Sequence, residues 1–391
     1  MITRQFTWLL VGGVAALLAC ALPGCARSAD GAPGDARLHL HVVCMSAEND
    51  TACPATDRAE AFDGWVRDVL YRPESSFSVR LVGTRRNAST PVFSVCVPRS
   101  WGQGDSVLGK KHKFVADSRA LATAPELPPK FDSSTLQGCN TPERDFPGEH
   151  RVVLIAPALD PAVVRALSDP AAGAHDPLHA SVICDRSDSG FGTVCDAVAL
   201  RRAYDAWLAS GAGNAEGSSW TVHLVAKTTE APQRILQVVV PGHLNPGARV
   251  AYLFAARYEV GDALPAKDTH NASAVAAAIQ AAIAELHERT GRYTLTVLSD
   301  LREVDPVYNF ERKAPTVEEF QQYLDRSALR ADLHNTPVFA CGLHDQGGSQ
   351  GAHNPKLGEQ VRNLWEAIFR SQGASMVELR ATCNHAVMAQ S

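Results

Sequence analysis

The chain has 391 residues, with 37 Lys and Arg against 42 Asp and Glu, for a formal net charge of −5. This balance leaves no basic footprint and argues against a nucleic-acid binder. A hydrophobic content of 45% supports a real core, and the length behind a leader segment leaves room for about two ordinary domains.

Arg4 precedes an apolar run from Phe6 to Leu22, the order expected of a secretory signal. The run is about as long as a short membrane span, but small residues and cysteines follow it instead of a basic stop-transfer flank. Leu22-Pro23-Gly24-Cys25 resembles a bacterial lipobox, which implies a signal peptide over 1–25 and a lipid on Cys25. Leu17-Leu18-Ala19-Cys20 is a second candidate, and cleavage near Ala26 to Ala29 as an ordinary signal is the plain alternative. Ala26 stands where an inner-membrane address has Asp, so the expected location is the bacterial outer membrane, with the membrane touched through the lipid alone. Residues 26–36 are small and polar with Gly and Pro, which suits a tether. No later stretch is apolar enough to span a bilayer.

Setting aside Cys20 and Cys25, eight of the ten cysteines remain, an even number in an exported protein, which points to disulfides over a thiolate metal site. The expected pairs are Cys44–Cys53, Cys96–Cys139, Cys184–Cys195 and Cys341–Cys383. An internal repeat supports two of them. Val42-Val43-Cys44 leads to Cys53 and then to Ala61-Phe62-Asp63-Gly64-Trp65. Val182-Ile183-Cys184 leads to Cys195 and then to Ala203-Tyr204-Asp205-Ala206-Trp207, with the same interval from second cysteine to tryptophan. Val79–Val82 and Val222–Val225 alternate as strands do, and Val95-Cys96-Val97-Pro98 and Val238-Val239-Val240-Pro241 follow at equal spacing. Each copy therefore predicts strand, helix, strand, strand, with a local disulfide between the first strand's end and the helix's start. In the first copy, Trp101 to Glu149 is rich in Pro, Gly, Lys and Ser and predicts an extended surface loop pinned by Cys96–Cys139; it includes the basic run Lys110-Lys111-His112-Lys113. A later strand, Arg151 to Ala156, ends at Pro157.

The second copy continues into a full α/β pattern. Ser273 to Arg289 is alanine-rich and helix-favouring, with a capped start at Ser273. Tyr293 to Leu298 is a strand ending in Ser299-Asp300. Thr316 to Leu329 is amphipathic, Pro337 to Leu343 is a short apolar strand, Lys356 to Gln372 is a helix closed by Gly373, and Ser375 to Arg380 is a last strand. Alternating strands and helices imply a doubly wound, mostly parallel sheet with helices on both faces, where ligands sit at the strands' carboxyl ends. Asp185 and Asp300 both fall at such ends. Trp65, Trp207 and Trp365 are expected in the core, and His39 and His41 on one side of a sheet.

The β-branched run Ser181-Val182-Ile183-Cys184 ends in Asp185-Arg186-Ser187-Asp188-Ser189. One carboxylate and two hydroxyls on a single loop are oxygen donors of the kind a hard divalent cation takes. This Asp-x-Ser-x-Ser, with Ser273 before a helix and Asp300 after a later strand, resembles the von Willebrand factor A (VWA) domain and its metal ion-dependent adhesion site. The resemblance covers roughly Leu178 to Ala381. It implies metal ligands Asp185, Ser187, Ser189, Ser273 and Asp300, with Thr269 the alternative to Ser273. The implied ion is Mg²⁺, or Mn²⁺ or Ca²⁺, with an open position for an Asp or Glu of a protein partner. Cys184 and Cys195, which bracket the loop, are outside that family's pattern. The implied organisation is a degenerate, truncated A-like unit over 37–176 and a VWA-like domain over 177–391, with the boundary at Ala171 to Pro177. The first unit has Met45 where the second has Asp185, and its Glu48 and Asp50 are most simply solvated loop acids.

Other candidates carry less. His344-Asp345 and His353 flank a Gly-rich loop after a strand, and Asn271-Ala272-Ser273 matches a glycosylation sequon. No G-x-S-x-G elbow, P-loop or H-E-x-x-H motif is present, and nothing positions a nucleophile or activates water, so the chain is read as a non-enzyme. The first functional reading is an envelope-anchored module that grips a protein partner through the cation. A metal-independent structural envelope lipoprotein is the alternative. A hydrolase that uses the same cation would need a general base beside it, and the sequence names none.

Overall fold

The structure is a computed structural model, and it describes residues 37–45, 54–69, 72, 74–82, 93–97, 108–122, 124, 148–155, 160–169, 175–186, 194–225, 232–264, 273–304, 307–310, 312–343 and 355–383. The expected signal peptide, Cys20, Cys25 and the tether lie outside them, as do Cys53, Cys139, Glu48, Asp50, His344, Asp345 and His353.

Arg37–Ser391 forms one compact unit built on two sheets. The first half runs β1 (Leu38–Met45), α1 (Ala55–Val69), β2 (Ser76–Val82), β3 (Phe93–Cys96), α2 (Leu108–Ala122), β4 (Glu149–Ile155) and α3 (Pro161–Ser168). The second runs β5 (Leu178–Cys184), α4 (Ala197–Ala209), β6 (Ser219–Leu224), β7 (Gln233–Val239), α5 (Pro246–Asp262), α6 (Val275–His287), β8 (Arg292–Leu298), α7 (Val317–Arg326), β9 (Pro337–Cys341), α8 (Pro355–Ser371) and β10 (Met376–Arg380). The strand orders are β3-β2-β1-β4 and β10-β9-β8-β5-β6-β7. Pairing is parallel except where β3 meets β2 and β7 meets β6. The protein is thus a mixed α/β structure with two mostly parallel sheets flanked by helices.

The repeat seen in the sequence recurs in the hydrogen bonds. The Leu38 amide donates to Ser75 Oγ and the Leu178 amide to Ser218 Oγ, both at 3.0 Å. His39 Nδ1 meets Ser76 Oγ at 2.8 Å, and His179 Nδ1 meets Ser219 Oγ at 2.9 Å. Trp65 Nε1 donates to the Leu38 carbonyl and Trp207 Nε1 to that of Leu178, which ties each helix to the root of its strand. Gly148 and Gly291 have φ of 149° and 143°. A Cβ on either would stand 2.6 or 2.5 Å from the Arg37 or Pro177 carbonyl oxygen, so only glycine admits this approach at the start of β4 and β8.

The sheets share helices. The alternating residues Leu38, Leu40, Val42 and Cys44 pack with Phe62, Trp65 and Phe77 under α1. The opposite face of the first sheet carries His39, His41 and Val43 and is covered by α5, which touches β1, β2 and β4 as well as α4 and β7. One hydrophobic cluster runs through Val43 and Val82 of the first sheet, Val163 and Leu167 of α3, α4, α5 and the near face of the second sheet. A second cluster joins the far face of that sheet to α6, α7 and α8. Trp65, Trp207 and Trp365 are all buried, and His39 and His41 share one buried face as expected.

Three helices were not foreseen, and one corrects the loop expected over 101–149. Helix α2 forms within it and begins at the basic run. Phe114, Val115 and Ala122 join the core under α1, and Arg119 makes a two-bonded ion pair with Asp63 of α1 at 2.7 and 2.9 Å. Helix α3 has Asp160 as N-cap and Pro161 in its first turn. Helix α5 starts from an Asn245 cap. Two of the expected disulfides, Cys184–Cys195 and Cys341–Cys383, are formed. Their sequence separations of 11 and 42 correspond to about 3 and about 4 kcal/mol of stabilisation in the chain-entropy account. Cys44 and Cys96 are also disulfide-bonded.

Candidate metal centre

The site begins with strand register. β5 and β8 are parallel neighbours with Cys184 opposite Leu298, so the residues that follow them leave the sheet side by side at its carboxyl edge. The Asp185 amide extends the ladder by donating to the Leu298 carbonyl at 3.0 Å, and the Ser299 amide does the same to Cys341 at 3.1 Å. Asp185 and Ser299 therefore stand in adjacent positions of one rim, and Asp300 follows directly.

Hydroxyls converge on the first carboxylate. Ser273 Oγ donates to Asp185 Oδ2 at 2.8 Å, and Ser299 Oγ donates to the same oxygen at 2.7 Å. Asp185, Ser273, Ser299 and Asp300 expose 5%, 3%, 0% and 7% of their surface. Polar groups this buried need such partners. Asp300 Oδ1 accepts from the Arg302 amide at 3.0 Å, a local turn that aims the carboxylate, and the Arg302 guanidinium lies 3.8 Å from Oδ2. The loop is held from below, since the Leu301 amide donates to Ser299 Oγ, Trp365 Nε1 donates to the Leu301 carbonyl, and Leu301 adopts φ 58°.

Ser273 reaches the rim without capping the helix behind it, contrary to the sequence expectation. The N-cap of α6 is Ala274, which offers no side-chain acceptor. Glu303 supplies the bond instead, with Oε2 accepting from the Ala276 amide at 2.9 Å, while Ser273 pairs with Val304 through reciprocal backbone bonds. The Ser273 hydroxyl is thereby turned toward Asp185. The carboxylate of Glu303 also complements the positive end of the α6 dipole.

Of the five residues expected as ligands, Asp185, Ser273 and Asp300 are described and come to this one rim. Ser187, Ser189 and the alternative Thr269 lie outside the described residues. Ser299 is a member that sequence reasoning passed over. Its signal was adjacency: once the first and fourth strands of the copy are neighbours, the residue after one faces the residue after the other. Among the described residues no group of three or more His, Cys, Asp or Glu gathers as a metal cluster. Two of the rim's four residues are serines, and an all-oxygen set of two carboxylates and two hydroxyls fits a hard cation such as Mg²⁺, Mn²⁺ or Ca²⁺. No described helix is long and apolar enough to cross a membrane.

No family model matches the chain, and no curated protein matches it. Among solved structures, the chain is similar to proximal thread matrix protein 1 from the mussel byssus, with 11% identity, a TM-score of 0.28, and coverage of 90% of this chain and 94% of that one. Similarity at this level bears on neither fold family nor function.

Proposed function

We propose that this protein is a VWA-like binding module, carried on an exported and lipid-anchored chain, that engages an acidic residue of a protein partner through a divalent cation. The observation that carries the reading is the meeting of Asp185, Ser273 and Ser299 beside Asp300 at one carboxyl rim. The second sheet is mostly parallel, with antiparallel β7 at its edge and helices on both faces, which is compatible with the α/β arrangement the resemblance implies. A bound Mg²⁺, Mn²⁺ or Ca²⁺ would supply an electrophilic position for the partner's carboxylate. Ser273 and Ser299 fix the direction of the Asp185 carboxylate, and the Arg302 amide fixes that of Asp300, so the donors are oriented before any ligand arrives. All four groups are buried. Export, the anchor on Cys25 and the outer-membrane location rest on the leader sequence alone.

The test is capture of partner from envelope extract with Mg²⁺ or with chelator, comparing the parent chain with Asp185→Ala. Capture should need the cation and fail in the variant; capture indifferent to both rejects the reading. That outcome would favour a metal-independent structural role, to which one observation points. Asp185 already accepts two hydroxyls, and Arg302 already sets a positive charge near Asp300.

A further inference from the structure

We propose that the Cys184–Cys195 and Cys341–Cys383 disulfides are positioning elements of the cation site, a step that rests on the function proposed above. Both begin one residue short of the rim. Register places Cys184, Leu298 and Cys341 side by side on β5, β8 and β9, so the next row is Asp185, Ser299 and Gly342. The half-cystines thus flank the strand that delivers Ser299 and Asp300, and the Cys341 carbonyl accepts the Ser299 amide directly. Cys184 and Cys341 are fully buried.

Each bridge fixes what leaves the row. Cys195 lies just before Asp196, the N-cap of α4, whose carboxylate accepts from the Ala199 amide at 2.7 Å. The Cys184–Cys195 bond therefore fastens the chain entering Asp185 to the start of a buried helix. The two bridged segments also touch. Gly342 has φ 106°, and a Cβ there would fall 2.3 Å from Val194 Cγ1 and 3.1 Å from the Ser299 carbonyl oxygen. Val194, the residue before Cys195, is seated in the space that glycine leaves beside Ser299. The first copy offers a comparison: Cys44 is likewise disulfide-bonded at the end of β1, where Met45 follows in place of an aspartate. The geometry is that of outer supports around a metal, whose loss weakens affinity by about 10- to 100-fold.

The experiment is Mn²⁺ affinity by titration calorimetry on the full chain, with far-UV circular dichroism confirming the fold of each variant. Cys184→Ala/Cys195→Ala should lose about ten-fold or more in affinity. Cys341→Ala/Cys383→Ala and Gly342→Ala should weaken binding to a smaller degree, and Cys44→Ala/Cys53→Ala should bind as the parent does. Parent-like affinity in a folded Cys184→Ala/Cys195→Ala chain overturns the proposal, and so does an equal loss in the Cys44→Ala/Cys53→Ala control. Should the first variant not fold, Cys341→Ala/Cys383→Ala and Gly342→Ala decide in the same way. A parent chain that takes no Mn²⁺ rejects the proposed function itself and this inference with it, an outcome distinct from parent binding that survives loss of the bridges.

Discussion

The two copies agree at one end of their sheets and part at the other. At the amino ends of β1 and β5 the same serine holds the same amide, the same histidine meets the next serine, and the same tryptophan reaches back to the strand's root. Even the aromatic packing corresponds: Phe62 meets Phe77 edge-on at 83°, and Tyr204 meets Trp220 at 84°. At the carboxyl ends, one copy has Met45 and the other Asp185 with its serines. The shared end secures helix to sheet, a need common to both copies. The divergent end has no such duty, so its residues are free to differ between the copies.

The copies also differ in completeness. The first sheet stops at β4, and its second face is covered by α5, borrowed from the other half, in the position that α6 holds on the second sheet. A sheet with one face uncovered cannot bury its hydrophobic and polar rows alone, so the first copy depends on the second for its core.

That dependence yields the largest expected effect. Trp65→Ala and Trp207→Ala should each cost about 3–5 kcal/mol by urea unfolding, and each should move one common transition, because a single cluster spans both sheets. Two separate transitions would break the comparison. Next, Ser75→Ala and Ser218→Ala each strand a buried strand-root amide and should cost about 1–3 kcal/mol, by matching amounts in the two copies. Under the proposed function, Asp185→Ala should remove cation binding while perturbing stability less than either pair.

The smallest effect is in pH. Burial, more than any other cause, pushes the pKa of His179 and of His223 down. The Thr290 carbonyl opposes it for the first, and the Glu285 carboxylate for the second. Both are therefore neutral when folded and take up protons more readily when unfolded. Their stabilising contribution is complete above the unfolded value of about 6.5 and is lost as pH falls from there through the folded values. The melting temperature should hold between pH 8 and 7, on the order of the neutral range, and decline below about 6.5, with a shallower decline in His179→Gln.

Much of this was legible in the sequence. Period-two strands and the equal spacing of Cys195 to Trp207 and Cys53 to Trp65 exposed the repeat, alanine richness gave α6, and apolar residues at helical spacing gave α7 and α8. Helix α5 was not legible for a physical reason. It is buried against a sheet on one side and α4 on the other, with Ala248, Val250, Leu253, Phe254 and Ala256 all inside, so it has no single apolar stripe to read. Helix α2 has a sparse apolar face and is fixed by tertiary contacts. At the rim, Asp185, Ser273 and Asp300 were legible from residue type and order. Ser299 needed the neighbouring register of β5 and β8, and Glu303 needed the knowledge that Ala274 leaves the helix uncapped.

The most direct measurement is Mn²⁺ binding followed by electron paramagnetic resonance in the parent, Asp185→Ala and Asp300→Ala. The account predicts one bound ion per parent chain and none in either variant, with both variants folded. A parent that leaves Mn²⁺ free in solution, or variants that bind it as the parent does, would contradict it.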